Sequence, residues 1–114
     1  RYEEILCDDA EYLIVAFGSC ARIAQKAIDH AREEGIKVGL FRPITLWPFP
    51  APELAERAKQ VKGILVVELN SGQMIEDVKL SVECNLPVEH FGRLGGIVPD
   101  PDEVVSALKE KIIK

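Results

Sequence analysis

The sequence predicts a single α/β domain with a parallel sheet that helices cover on both faces. Apolar runs alternate four times with amphipathic segments, which is the pattern of repeated strand–helix units. The first and third runs are rich in Ile, Leu and Val, as in strands buried on both faces. The length of 114 residues suits one compact domain with its own core.

The first strand–helix unit covers residues 12–35. The run YLIVAFG at 12–18 predicts a buried strand closed by glycine. The following segment predicts a helix at 19–35, which Ser19 caps at its start and Gly35 at its end. Its apolar stripe consists of small and aliphatic side chains, namely Cys20, Ile23, Ala24, Ala27, Ile28 and Ala31.

The second unit begins with a strand at 36–43 that Pro43 ends. Four prolines between positions 43 and 54 predict a loop, since proline disrupts both strands and helix interiors. Pro52 then suits the first turn of a helix running to about Val61, with Gly63 beyond its end. The side chains expected to face inward are Leu54, Ala55, Ala58 and Val61.

The third and fourth units complete the domain. A buried strand is predicted at 64–69, and a helix begins within the stretch VVELNSGQM at 66–74. Val78 and Val82 should face inward from this helix, which ends before Asn85 and Pro87. A shorter strand follows at 87–91. Asp100, Pro101 and Glu103 then form a capping box. The closing helix is lined by Val104, Val105, Leu108 and Ile112.

Charge and cysteine content exclude several classes of protein. A net charge of −5 argues against nucleic-acid binding, and the sequence has no apolar run near the ~20 residues that cross a bilayer, so we expect no membrane partner. Cys7, Cys20 and Cys84 are odd in number, far apart and without a CxxC pair, so we expect inert thiols, no metal site and a cytoplasmic location. Because the sequence opens on Arg1, we expect a piece of a longer polypeptide.

Polar side chains follow the first and third predicted strands. In open α/β sheets, ligands bind beyond the carboxyl ends of the strands, where helix N-termini favour anions. This edge should carry Ser19 after the first strand and Glu68, Asn70 and Ser71 after the third. Asn70 and Gln73 also form a variant capping box, so these residues either bind a ligand or simply start a helix.

The remaining motifs support no catalytic site. The first strand–helix turn reads GSCARI instead of a dinucleotide fingerprint, and neither a P-loop nor a nucleophile elbow occurs. Glu68 is a possible general base without a visible partner, while His30 and His90 lack a second metal ligand at suitable spacing. Arg93 lies among three glycines in GRLGG at 92–96, which is either an anion-binding loop or a flexible connection.

Four stretches together resemble the C-terminal domain of the α subunit of 2-oxoacid:ferredoxin oxidoreductases. They are DDAEYLIVAFGS at 8–19, GIKVGLFRPITLWPFP at 35–50, VVELNSGQM at 66–74 and GRLGG at 92–96. The resemblance covers nearly the whole chain. It implies a transketolase C-terminal-like fold, a three-layer α/β/α sandwich with a mostly parallel five-stranded sheet. Residues 2–7 would then supply one antiparallel edge strand.

The resemblance also implies what this chain does not do. The parent enzymes decarboxylate a 2-oxoacid with thiamine diphosphate and magnesium and pass electrons through iron–sulfur clusters to ferredoxin, forming an acyl-CoA. They hold the diphosphate on a Gly-Asp-Gly motif, which this sequence lacks. The chain is therefore expected to bind none of these cofactors, to be inactive in isolation, and to pack against the rest of the α subunit and against β or other subunits.

Trp47 and Phe49 are the strongest interface candidates, because they are large apolar groups on a proline-stiffened loop. The same loop could instead fold back onto its own helices. Two other functions stay open from the residues: a small regulatory domain that binds CoA or a nucleotide through Ser19, Asn70, Ser71 and Arg93, and the C-terminal domain of another thiamine enzyme. Calorimetry with CoA and nucleotides would separate the regulatory function from assembly.

Overall fold

The computed structural model describes residues 2–16, 19–43, 51–68, 73–82, 86–91 and 100–113. Strands β1 to β5 in this part of the chain are Tyr2–Ile5, Tyr12–Ala16, Val38–Pro43, Ile64–Val67 and Val88–Phe91. Helices α1 to α4 are Ser19–Glu33, Ala51–Ala58, Gln73–Val82 and Pro101–Leu108, and α4 continues into a π-helical turn at Lys109–Ile113.

The strands form one mixed sheet in the order β1-β3-β2-β4-β5. Strand β2 pairs in parallel with both β3 and β4, and β5 pairs in parallel with β4. The edge strand β1 is antiparallel to β3, with Tyr2 opposite Pro43. The predicted sheet, mostly parallel with one antiparallel edge strand near the start of the chain, is confirmed.

Alternate residues of the central strands supply two separate cores. Ile14 and Leu65 point to one face, where they pack with α1 and α4. Leu13 and Val66 point to the other face, where they pack with α2 and α3. Since both faces of each central strand are buried, the strands carry apolar side chains at successive positions. This arrangement is the predicted three-layer α/β/α sandwich.

The helix ends follow their local sequence signals. Gly35 has a φ of +87°, and the N–H groups of Gly35 and Ile36 donate to the carbonyls of Arg32 and Ala31, which makes a Schellman motif after α1. Asp100 and Glu103 form the predicted capping box at the start of α4, with Pro101 in the first turn. The predicted end of α1 at Gly35 and the predicted start of α4 at Asp100 are both confirmed.

Helix α2 is shorter than the sequence suggested. It ends at Ala58 instead of near Val61, because Lys59, Gln60 and Val61 donate to carbonyls only three residues earlier. Such three-residue bonds tighten the last turn and end the α-helical geometry. Strand β3 likewise begins at Val38, two residues later than predicted, since Gly35 and Ile36 belong to the end of α1.

Two arginines fix the turn between β1 and β2. Arg32 on α1 donates to the Leu6 carbonyl and makes a bidentate pair with Asp9. Arg57 on α2 makes a bidentate pair with Glu4 of β1 at 2.6 and 2.8 Å and donates to the Cys7 carbonyl of the turn at 3.5 Å. These contacts anchor the turn to one helix of each outer layer, which holds β1 against the sheet.

Cys7 lies inside this anchored turn. Its thiol is buried and donates to the Leu40 carbonyl at 3.2 Å. Burial, followed by the negative charge of Glu4, raises the pKa of Cys7 to about 11. The thiol is therefore protonated near neutral pH, as the sequence analysis expected of an inert cysteine.

We expect Cys7 to resist alkylation by iodoacetamide at pH 8 in the folded chain and to react once the chain is unfolded. Because its folded pKa is raised, its contribution to stability is intact below pH 9 and is lost as the pH rises toward 11. Mass spectrometry of native and denatured samples measures the first effect, and denaturation curves between pH 8 and 11 measure the second. Rapid native labelling would contradict this picture.

Candidate functional site

The topological switch point lies between β2 and β4. These strands are neighbours in the sheet, yet the helices that follow them, α1 and α3, pack on opposite faces. The connections therefore diverge at the carboxyl ends of β2 and β4, and in such sheets ligands usually bind in the crevice at this position. Helices α1 and α3 both begin at this edge.

Glu68 is the only predicted site residue whose side chain falls within the described part of the chain. Ser19 and Gln73 are the first residues of α1 and α3, which places their backbones at the carboxyl edge. The other candidates lie outside the described residues, namely Asn70, Ser71, Arg93, Trp47 and Phe49. The predicted cap at Asn70 therefore stays a prediction.

The Glu68 carboxylate is directed at the start of α3. The residue follows β4 directly, is only 7% exposed, and accepts a hydrogen bond from the backbone N–H of Ile75 at 3.2 Å through Oε2. Ile75 is the third residue of α3, so this N–H is one of those that the helix itself leaves without a partner. The negative charge also lies at the positive end of the helix dipole.

His90 lies beside this carboxylate. Its Nε2 is 3.6 Å from Glu68 Oε2, outside hydrogen-bond range, and this buried nitrogen has no hydrogen-bond partner among the described residues. The backbone of His90 is held by Lys111, whose Nζ donates to the His90 carbonyl at 3.0 Å. The sequence analysis missed this pair. The alternation of residues in β5 could have predicted it, because His90 lies on the same face of the strand as Val88 and this face packs against α3.

Cys20 also lies close to the crevice. Its thiol is buried in the first turn of α1, and burial together with the charge of Glu68 raises its pKa. A thiol in these surroundings stays protonated and is a poor nucleophile or metal ligand. The expected burial is confirmed for Cys7 and Cys20, whereas Cys84 lies outside the described residues.

These contacts indicate that Glu68 stabilises the fold at the switch point and is not placed to bind an anion. A buried carboxylate already occupies the start of α3, and its charge repels a phosphate or carboxylate ligand at that helix end. The anion-binding alternative is therefore not favoured. The described donors also do not fit magnesium or an iron–sulfur cluster, because both described thiols are buried and protonated and Glu68 is engaged by α3. No cluster of three His, Cys, Asp or Glu side chains suited to a metal ion occurs in the described segments.

Comparison with known proteins identifies the family. Residues 10–104 match the family described as pyruvate:ferredoxin oxidoreductase core domain II. The chain belongs to this family. The match covers most of the sequence and both strands that border the crevice, so it confirms the resemblance that the sequence motifs indicated.

The chain matches only part of the length of a curated relative. The ketoisovalerate oxidoreductase subunit VorB of Methanothermobacter marburgensis is 44% identical over 110 residues, which is 96% of this chain and 31% of the relative. The chain thus spans about a third of the length of this relative. The described helices include none that is long and apolar enough to cross a membrane.

Two solved structures share the fold of this core domain II. The 2-oxoglutarate:ferredoxin oxidoreductase of Magnetococcus marinus aligns with a TM-score of 0.79 at 23% identity, over 97% of this chain and 19% of that one. A split-gene transketolase, described as an inactive β4 tetramer, aligns with a TM-score of 0.82 at 20% identity, over 99% of this chain and 41% of that one. The predicted transketolase-like α/β fold is confirmed.

Proposed function

We propose that this core domain II is a non-catalytic assembly domain of a 2-oxoacid:ferredoxin oxidoreductase. The observation that carries the proposal is the position of Glu68. This candidate base at the switch point is buried and accepts a hydrogen bond from α3, which supports a role in the fold. In this proposal, the domain packs within the α subunit and against partner subunits, so that the domains carrying the cofactors are correctly apposed.

The chemistry of the holoenzyme then belongs to other parts of the assembly. Thiamine diphosphate, magnesium, iron–sulfur clusters and CoA would be bound by other domains or subunits, and ferredoxin would accept the electrons from the holoenzyme. The family, the VorB relative and the Magnetococcus enzyme are named for pyruvate, ketoisovalerate and 2-oxoglutarate. These names support a 2-oxoacid as the substrate class, with its side chain selected outside this domain. The unpaired cysteines in the sequence support a cytoplasmic location.

The proline-rich loop at 44–50 is the proposed contact with the partner. Strand β3 ends at Pro43, at the carboxyl edge of the sheet, and α2 begins at Ala51, so the loop connects these two points. Trp47 and Phe49 lie in this loop, and aromatic side chains on a stiff loop are frequent anchors of protein interfaces.

We expect Trp47→Ala in the full-length subunit to weaken association with its partner subunit by roughly tenfold or more, because interface tryptophans often contribute over 1 kcal/mol. The fold should be retained if Trp47 packs against the partner subunit, because the substitution then removes an interface contact and no contact within the domain. Native mass spectrometry and sedimentation measure the association, and circular dichroism checks the fold. A complex of unchanged mass and affinity would defeat the assembly role of this loop.

A further inference from the structure

A groove of about 550 Å³ runs between the edge strand β1 and helix α2. A second groove in the described residues lies between β5 and α4. Strand β1 pairs with β3 on one side and with no described strand on the other. The groove is lined chiefly by Tyr2, Glu4, Pro52, Glu53, Glu56 and Arg57.

The groove combines an aromatic surface with excess negative charge. The Tyr2 ring stacks on Phe41 with centroids 5.0 Å apart and remains 37% exposed, so part of the ring is accessible from the groove. The lining holds three carboxylates and one guanidinium, which leaves a net charge of −2. An aromatic surface beside carboxylates is the arrangement that binds arginine and lysine side chains.

The groove already shows this chemistry within the chain. Arg57 lies in it and forms a bidentate pair with Glu4 at 2.6 and 2.8 Å. Glu53 and Glu56 are exposed on α2, and Glu56 pairs with the exposed side chain of Lys59 at 3.1 Å. A basic side chain that entered the groove would therefore contact the exposed carboxylates of Glu53 and Glu56, next to the Arg57–Glu4 ion pair.

The groove also adjoins the proposed interface loop. Tyr2 lies opposite Pro43, where the loop at 44–50 leaves the sheet, and Pro52 follows its return. Both ends of the segment that carries Trp47 and Phe49 thus border the groove.

We propose that the groove between β1 and α2 binds an arginine- or lysine-bearing segment of the neighbouring subunit. The inference rests on the proposed assembly function and adds the chemistry of the partner. The Tyr2 ring packs against the stem or guanidinium plane of the incoming side chain, and Glu53 and Glu56 accept its hydrogen bonds.

The test compares two charge-reversed forms of the full-length subunit. Glu53→Lys/Glu56→Lys changes the groove, whereas Glu33→Lys/Glu110→Lys makes the same charge change at exposed positions on α1 and after α4. We expect the groove variant to bind the partner subunit roughly tenfold more weakly at low salt, with a smaller difference at 0.5 M salt. The control should stay within about twofold of the unchanged subunit.

The outcomes separate this inference from the assembly function. If Trp47→Ala weakens the complex while the groove variant matches its control, the groove proposal is overturned and the assembly function stands. If neither weakens it, both are overturned. Circular dichroism of each variant establishes that it is folded, and the neutral form Glu53→Gln/Glu56→Gln, with a smaller loss of the same salt-dependent kind, replaces any variant that is not.

Discussion

Replacing Gly39 with alanine should lower the free energy of unfolding by about 2–3 kcal/mol, because overpacking a tight site displaces its neighbours. Gly39 lies in β3, where an added Cβ would come within 2.8 Å of the Leu6 carbonyl oxygen and 2.9 Å of the Cys7 Cα. Both are backbone atoms of the turn that Arg32 and Arg57 anchor. This turn can yield only by giving up those contacts.

Gly63 provides the matched comparison. A Cβ there would approach Ile112 Cγ2 at 2.5 Å, but the obstacle is a side chain near the end of the described chain. A change of rotamer can relieve that clash, so Gly63→Ala should cost about 1 kcal/mol. Urea denaturation of both variants measures the difference. A larger loss at Gly63 than at Gly39 would show that the anchored turn does not govern the cost.

Replacing Glu68 with alanine should lower the free energy of unfolding by about 1–3 kcal/mol, since it removes the acceptor of a partly buried backbone N–H. The Ile75 N–H would lose its 3.2 Å hydrogen bond to the carboxylate, and the start of α3 would lose the adjacent negative charge. Glu68→Gln keeps an oxygen at the same position. We expect it to recover most of the stability, within about 1 kcal/mol of the unchanged chain.

The variant Glu68→Gln also tests whether Glu68 takes part in catalysis. If the residue only supports the fold, the full-length enzyme with Glu68→Gln should keep a kcat within about twofold of the unchanged enzyme. A general base replaced by an amide would instead reduce the rate by about 10²–10⁴-fold. Steady-state assays of the assembled holoenzyme distinguish these results. A loss of that size with the complex intact would contradict the non-catalytic proposal.

Local sequence signals predicted most of the secondary structure correctly. The strand at 12–16, the stripe on α1, the turn at Gly35 and the capping box at Asp100 all depend on residues close together in the chain. The end of α2 was placed three residues too late. Propensity and periodicity do not distinguish an α-helical turn from the tighter bonds that end the helix at Ala58.

The candidate site was predicted less completely. The switch-point rule placed Glu68 at the carboxyl edge, and the structure puts it there, but its partners could not be read from the sequence. Ile75 follows seven residues later and His90 lies 22 residues away on a different strand. Their proximity depends on α3 folding back over β4 and on β5 pairing beside β4.

The sequence by itself determined the class of the fold, because apolar periodicity records which faces of each segment are buried. Tertiary structure alone decided the strand order, and with it the contacts that give polar residues their roles. The order β1-β3-β2-β4-β5 places Glu4 within reach of Arg57, 53 residues away, and Glu68 beside His90. Such contacts join side chains that no local pattern relates, so their effects become visible only once the sheet is assembled.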